Sequence, residues 1–246
     1  MISPLGSRYA IGGALGRSVK RASTGITDPT DIADLWIWYD FSDAESMFTD
    51  DGTTNVSSDG ESIYRINDKS GNNLHARQAT EAKRPTYKTN IQNGLSVGRG
   101  DGGDELVNDI TDTSQPFTIF VVASVATDAV KGFAGGNARV YNYIGRKLAL
   151  WAGSFITSAT AFALNEKMII CGVLNTTNSV LYKNNTSIAT GNIGTNKMLV
   201  ISPFSNGLTG YVTGDIGELI YFNKVLSDDD RNKINTYLNN KWAIYS

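Results

Sequence analysis

The stretch that decides the fold is GDIGELIYFN, at residues 214–223. Successive side chains of an extended strand point to opposite faces. Apolar side chains therefore fall on both faces of this stretch, with Ile216, Ile220 and Phe222 on one face and Leu219 and Tyr221 on the other. Such a pattern is typical of a strand that is buried on two sides. We predict that this strand lies inside a sandwich, with a sheet on each side.

The spacing of the apolar residues changes directly after this strand. One face of a helix is indicated by the i, i+3, i+4, i+8 spacing of Ile234, Tyr237, Leu238 and Trp242. Ser227 is placed to cap the N-terminus of this helix, and the aspartates at residues 228–230 lie in its first turn, where the helix dipole favours negative charge. The sequence therefore predicts a short C-terminal helix.

The composition indicates a β protein. The chain has 246 residues, of which 25 are glycine, 10% are aromatic and 19% are charged. This balance provides many turns and many side chains that suit pleated surfaces. Roughly a dozen short apolar segments, among them residues 35–41 and 117–125, alternate with turn signals. We predict an all-β fold of two antiparallel sheets.

The charge is unevenly distributed along the chain. The formal net charge is -2, so nucleic acid is not an expected partner. The first 21 residues carry a formal charge of +4 and precede the first acidic residue, and their basic side chains are Arg8, Arg17, Lys20 and Arg21. This asymmetry predicts a basic, glycine-rich anchoring arm at residues 1–30 and a globular body at residues 31–246.

No stretch of the sequence approaches the roughly 20 consecutive apolar residues that cross a bilayer. Residues 9–16 follow a basic residue, but three glycines interrupt them and Arg17 arrives too early for the core of a signal peptide. We therefore expect no membrane insertion and no cleavable secretion signal.

Both ends of the predicted body carry motifs that resemble a known superfamily. The leading motifs are residues 36–43, 66–72, 76–79 and 84–87, and the final motifs are residues 214–218 and 223–227 with Asp230. In this order they resemble the concanavalin A-like superfamily, in particular the laminin G-like jelly-roll domains of bacteriophages and bacteria. The resemblance implies a two-sheet antiparallel jelly-roll sandwich. It implies less about function, because this sandwich serves lectins, glycan lyases, glucanases and structural modules.

Glycoside hydrolysis requires two carboxylates that face each other across the scissile bond. The glucanases of the superfamily carry alternating acids on one strand, and this sequence has no such alternation. Its closest pair, Asp215 and Glu218, has opposite parity and is expected on different faces. We therefore predict that the protein is not an enzyme. Because Glu218 shares a face with apolar residues, we expect it to be paired with a neighbouring cation or a loop.

Two acidic turns offer oxygen ligands for calcium. One contains Asp101 and Asp104, and the other contains Asp50, Asp51 and Asp59. Neither spacing dictates coordination, and solvated turns are the alternative, so calcium is the one cofactor that we consider. The first turn also departs from the superfamily, because Gly100 stands where an aromatic core residue is often found.

The aromatic run at Trp36, Trp38, Tyr39 and Phe41 offers a platform for stacking sugars, but we interpret it as core packing.

A lectin-like sandwich with a basic arm and no secretion signal is explained by display on a particle. We predict a bacteriophage virion protein, on the tail, collar or head, that is anchored to other virion proteins through the arm. It would bind host surface polysaccharide in several copies, so that avidity replaces strong single contacts. An architectural decoration or joining protein that binds no sugar is one alternative, and a glycan-degrading enzyme is another.

Overall fold

A computed structural model describes residues 25–108, 110, 113–198, 200–205 and 210–246. The four predicted anchor residues lie outside these ranges: Arg8, Arg17, Lys20 and Arg21. The strands are β1 Leu35–Asp40, β2 Met47–Phe48, β3 Arg65–Ile66, β4 Ala76–Arg77, β5 Thr86–Gln92, β6 Leu95–Asp101, β7 Phe117–Val125, β8 Lys131–Gly135, β9 Arg139–Tyr143, β10 Lys147–Trp151, β11 Phe155–Thr157, β12 Met168–Leu174, β13 Ser179–Lys183, β14 Thr186–Gly191 and β15 Thr213–Phe222. The helix α1 is Asp228–Trp242, and short 3-10 turns occur at Pro29–Asp31, Ala44–Ser46, Glu81–Lys83 and Thr176–Asn178.

The strands form two facing sheets and a small third one. The large sheet has eight strands in the order β14-β13-β12-β7-β15-β6-β5, with β1 also paired to β15. The small sheet has four strands in the order β11-β10-β9-β8, and β2, β3 and β4 form a separate ribbon. All strand pairs within these sheets are antiparallel. The predicted all-β antiparallel sandwich with a C-terminal helix is confirmed.

The main core lies between the large and the small sheet. Gly172 of β12 marks how closely the sheets approach, since a Cβ atom at this position would lie 2.7 Å from Cδ2 of Leu150 in β10 and 3.1 Å from Cγ2 of Val140 in β9. Packing at this distance excludes water and buries the inner face of β7 from end to end. The small sheet is thereby held with one face inward and the other outward.

Strand β15 is an interior strand of the large sheet, with partners along both of its edges. One of its edges pairs with β7, and the other pairs with β6 at residues 213–216 and with β1 at residues 218–222. The prediction of a sheet on each side is wrong for one face. That face packs against α1, because the helix presents an apolar stripe that joins a second core: Ile234, Leu238 and Trp242.

A β-bulge at Gly217 reverses the side-chain parity within β15. The register against β7 shifts between Ile216 and Glu218. Ile216 therefore joins the main core with Leu219 and Tyr221 rather than the face of Ile220, which corrects the prediction from strict alternation. Glycine is required here because a Cβ atom would lie 2.6 Å from Cη2 of Trp242.

The predicted helix is confirmed, together with its cap. The Ser227 side chain accepts a hydrogen bond from the Asp230 amide at 3.1 Å, and three aspartates occupy the first turn. The helix ends at Ala243, which has a left-handed conformation with φ 50°. Within the described ranges, no helix combines the length and the apolar character needed to cross a bilayer.

The motif at residues 66–72 forms a hydrogen-bonded corner that holds β1. Oδ1 of Asp68 accepts from the amides of Trp38 and Ser70, and Oδ2 accepts from the amide of Leu74. The Asp68 amide in turn donates to Nδ1 of His75 at 3.0 Å. This part of the leading motif therefore supplies hydrogen-bond partners for backbone amide groups around the buried strand β1.

The departure at Gly100 is compensated by an aromatic residue from a distant loop. A Cβ atom at Gly100 would lie 2.9 Å from the ring of Phe204, and one at Gly98 would lie 2.8 Å from the same ring. Phe204 is fully buried and packs edge-on against Phe41 at 5.5 Å between ring centroids. The core residue absent from β6 is thus supplied from elsewhere in the chain.

Candidate functional site

Two buried carboxylates lie side by side beneath α1, at opposite positions of β1 and β15. Asp40 pairs with Glu218 across the strands, and Nζ of Lys241 lies 2.8 Å from a carboxylate oxygen of each. Glu218 also accepts hydrogen bonds from the indole groups of Trp38 at 2.7 Å and Trp242 at 2.9 Å. Burial and the charge of Asp40 raise the pKa of Glu218. The expectation that Glu218 is paired with a cation is confirmed, and the cluster links the helix to the sheet.

The parity argument that separated Asp215 from Glu218 is wrong. Asp215 lies opposite Ser124 of β7 and Glu218 lies opposite Val122, so the bulge places both carboxylates on the helix-facing side of the sheet. Asp215 is held between Nε of Arg99 at 2.6 Å and Nζ of Lys167 at 2.7 Å. Burial opposes ionisation, but these two cations keep the pKa of Asp215 below its usual value.

The first pair of calcium candidates lies at the end of β6, with Asp101 as the last residue of the strand and Asp104 in the turn that follows. Oδ1 of Asp101 accepts from the Gly103 amide at 2.8 Å, and Oδ2 of Asp104 accepts from the Asp101 amide at 2.9 Å. Burial raises the pKa of Asp104 to about 6, and the charge of Asp101 adds to this rise. Within the described ranges, no three acidic, histidine or cysteine side chains gather closely enough to hold a metal ion. Calcium binding at this turn stays a prediction.

The outward face of the small sheet carries a cluster of aromatic residues. Val140, Leu148 and Leu150 point into the main core, so the alternate positions of these strands point outward. We call this outward side the aromatic face, and it consists of Arg139, Tyr141 and Tyr143 from β9, Trp151 from β10, and Phe155 from β11. Register explains the grouping, because Arg139 lies opposite Trp151, which in turn lies opposite Phe155.

The rings of the aromatic face contact one another in a chain. The guanidinium of Arg139 lies 4.1 Å from the ring centroid of Trp151 and 5.3 Å from that of Tyr141. Tyr141 meets Tyr143 edge-on at 6.0 Å, and Tyr143 packs on Phe155 at 5.4 Å with an angle of 30° between the ring planes. The cluster is therefore a chain of contacts in which three rings touch one another and the Arg139 cation joins them to Trp151.

Exposure grades across the aromatic face. Tyr141 is only 3% exposed and forms part of the floor, whereas Phe155 is 48% exposed. Tyr143 and Trp151 are half-buried. Apolar rings on a solvent-facing sheet provide flat surfaces on which the C–H faces of a sugar ring can stack.

Arg139 has an unusual electrostatic environment. No carboxylate of the described residues lies within ion-pair distance of it, and its buried Nε atom has no hydrogen-bond partner among them. Its one hydrogen bond within the described chain runs from Nη1 to the Gly136 carbonyl at 3.2 Å. Burial lowers the pKa of Arg139 below its ordinary value.

The aromatic run near the start of the body is core, as interpreted from the sequence. Trp38 is 6% exposed, and Trp36 packs on Tyr221 at 5.3 Å between ring centroids. The exposed aromatic residues of the small sheet were not singled out from the sequence. The alternation of Tyr141 and Tyr143 with Val140 in a predicted strand was the available signal.

No protein-family model matches the chain, and no curated protein matches it either. Solved structures do match. Domain 4 of AbnA, a GH43 extracellular arabinanase from Geobacillus stearothermophilus in complex with arabinotriose, has a TM-score of 0.57 at 12% identity, over 82% of this chain and 98% of that domain. The binding domain of Paraclostridial Mosquitocidal Protein 1 has a TM-score of 0.58 at 14% identity, over 86% of this chain and 53% of that one.

Trypanosoma rangeli sialidase in complex with sialic acid matches with a TM-score of 0.54 at 11% identity, over 85% of this chain and 33% of the sialidase. The chain therefore spans about a third of the sialidase and about half of the mosquitocidal binding domain. At these identities the likeness is one of fold, and it places the chain among β-sandwich domains.

Proposed function

We propose that this protein is a non-catalytic glycan-binding module and that the aromatic face is its binding surface. The observation that carries the proposal is the group of partly exposed rings of Tyr143, Trp151 and Phe155 on the outward side of the small sheet. Phe155 forgoes about half of the roughly 1.5–3 kcal/mol that full burial of its ring would contribute. An apolar ligand face that covers the ring would recover this free energy.

The chemistry of the aromatic face and one similar solved structure support a sugar as the ligand. Sugars offer a flat patch of C–H groups on one side of the ring and hydroxyl groups at the edge, which suits aromatic rings bordered by polar atoms. The phenol oxygen of Tyr143 and the guanidinium of Arg139 supply such polar atoms here. A domain with a similar fold has been solved with arabinotriose.

The carboxylates that hydrolysis would need have other partners, which supports binding without catalysis. Asp215 is held by two cations, and Glu218 accepts hydrogen bonds from four donors of the described chain. Release of reducing sugar from a bound polysaccharide would contradict this part of the proposal and favour a glycan-degrading enzyme.

The experiment for the binding surface is a glycan array with the full chain, followed by titration of the selected glycan. Trp151→Ala and Phe155→Ala should each weaken binding by about tenfold, because one aromatic contact contributes about 1–1.5 kcal/mol. Val225→Ala is the matched control, since it also removes an exposed apolar side chain but lies beside the helix layer. Wild-type affinity in both aromatic variants would refute the assignment of the surface.

The setting of this module is the finer part of the proposal. We place it on a bacteriophage virion, on the tail, collar or head, with the basic residues Arg8, Arg17, Lys20 and Arg21 binding other virion proteins. Display in several copies would convert weak single contacts into firm adhesion to host polysaccharide. Deletion of residues 1–21 should leave the sandwich folded and abolish incorporation into particles, and unimpaired incorporation would refute the anchor.

The architectural alternative assigns the aromatic face to a neighbouring protein. In that case Trp151→Ala and Phe155→Ala would fail to assemble with the neighbouring protein, and the wild-type protein would bind to no glycan on the array.

A further inference from the structure

We infer that the glycan bound by the aromatic face is anionic and that Arg139 binds its negatively charged group, a carboxylate or a phosphate. This inference rests on the proposed function and specifies the class of ligand for that site. It follows from the partners of Arg139, from the charge of the strands around it and from the position of its guanidinium over the ring of Trp151.

Arg139 lacks the carboxylate partner that Arg99 and Arg231 have, and it is the one arginine of the described residues with a buried side-chain nitrogen that has no hydrogen-bond partner. Arg99 pairs with Asp215 at 2.6 Å, and Arg231 pairs with Asp228 at 3.3 Å. Arg139 is half-buried, and its Nε atom is enclosed without a partner in the part of the chain that the structure describes. A partly desolvated cation without a counter-charge reduces the stability of the fold, and an anion bound at the terminal guanidinium nitrogens would offset part of that cost.

The strands that form the aromatic face carry only positive charge. β9 reads RVYNY, β10 reads KLALW and β11 reads FIT, so none of them contains an aspartate or a glutamate. Lys147 lies opposite Tyr143 and adds a second cation to the outward side. This local excess stands in a chain whose formal net charge is -2, so it is a property of the face and not of the whole protein.

The position of Arg139 over Trp151 limits which of its nitrogens a ligand can reach. The guanidinium carbon lies 4.1 Å from the Trp151 ring centroid and Nε is enclosed, so the terminal nitrogens Nη1 and Nη2 are the ones left for a ligand. Two parallel N–H donors match the two oxygens of a carboxylate or phosphate. A sugar ring on Phe155 and Tyr143 could therefore direct its acidic substituent toward Arg139.

The inference is tested by titrating the full chain with three matched oligosaccharides. These are a short uronic acid oligosaccharide, the same oligosaccharide after reduction of its carboxyl groups to alcohols, and a neutral-backbone oligosaccharide that carries phosphate. The variants are Arg139→Gln, Arg139→Lys and Phe155→Ala. Lys83→Gln is the matched charge control, since it removes one exposed cation outside the small sheet.

The wild-type protein should bind one of the two acidic probes at least about tenfold more tightly than the reduced one, which corresponds to one charge-assisted hydrogen-bonded pair. Arg139→Gln should abolish this preference, Arg139→Lys should retain part of it, and Lys83→Gln should leave it intact. The preference should also weaken as salt is added. Which acidic probe is preferred distinguishes the carboxylate from the phosphate.

Two outcomes would overturn the inference, and they differ from failure of the proposed function. Equal affinity for acidic and reduced probes, with Phe155→Ala weakening both, would refute an anionic ligand and leave glycan binding in place. A preference that survives in both Arg139 variants would assign the anion to another residue. If the proposed function itself is wrong, Phe155→Ala will bind every probe with the affinity of the wild-type protein.

Discussion

Replacing Glu218 with glutamine tests whether the buried carboxylate beneath α1 holds the helix on the sheet. Each oxygen of this carboxylate accepts from two donors. Oε1 accepts from Trp38 at 2.7 Å and from the Tyr237 hydroxyl at 3.0 Å, while Oε2 accepts from Lys241 at 2.8 Å and from Trp242 at 2.9 Å. An amide retains one acceptor oxygen and replaces the other with a donor.

The expected loss of stability follows from this donor count. The amide nitrogen should take the place of Oε1, because the Tyr237 hydroxyl can rotate to accept a hydrogen bond whereas the other three donors cannot. The Trp38 indole is then left buried without an acceptor, which costs about 1–3 kcal/mol. Lys241 also loses one of its two carboxylate partners, although Asp40 remains at 2.8 Å. We expect Glu218→Gln to lower the free energy of unfolding by about 3 kcal/mol in total.

Urea denaturation followed by tryptophan fluorescence measures this change. Glu166→Gln is the control, because Glu166 forms a half-exposed ion pair with Lys183 that should contribute less than about 1 kcal/mol. A double-mutant cycle with Lys241→Met separates the ion pair from the indole hydrogen bonds. If the free energy of unfolding of Glu218→Gln lies within about 0.5 kcal/mol of the wild-type value, the cluster does not hold the helix, and the burial argument is wrong.

Three further predictions concern backbone and charge. Gly217→Ala should destabilise the protein by about 2 kcal/mol in denaturant, because its Cβ atom would lie 2.6 Å from Trp242. Asp104 has a folded pKa of about 6 against an ordinary 3.8, so stability should fall as pH rises through this interval. Asp104→Asn should remove that dependence and stabilise the protein at pH 7 by about 1–2 kcal/mol, whereas tight calcium binding at this turn would instead make the variant less stable than wild type in calcium. Ser227→Ala should lower the melting temperature, since a lost N-cap costs about 1 kcal/mol.

The elements that were predictable from sequence are those whose patterns depend on near neighbours. β15 and α1 follow from the apolar spacing around residues 214–242, and Ser227 caps the helix as its position indicates. The faces of β15 did not follow, because one inserted residue at Gly217 reverses the alternation and only the fit of Trp242 reveals why glycine stands there.

The candidate site was less predictable than the fold. Tyr141, Tyr143, Trp151 and Phe155 lie on three strands, and only the register of the small sheet brings them together. Trp36 and Trp38 formed a denser aromatic run, yet Trp38 is buried and Trp36 is half-buried through contacts with residues about 180 positions away. The local frequency of aromatic residues in the sequence therefore did not distinguish core from surface here. Which charged groups of the described residues lie near Arg139 depends on the tertiary structure and could not be predicted from the sequence.

Strand β15, which pairs with β7, β6 and β1, is also the last of the described strands to be synthesised. β7 and β6 are synthesised well before β15, and each presents an unpaired edge until residues 213–222 arrive and fill the gap between them. The nascent chain therefore carries two half-sheets that can recruit strands from other copies during translation. Slow synthesis of the codons for residues 213–222 should consequently reduce the soluble yield, even though the finished protein is unchanged.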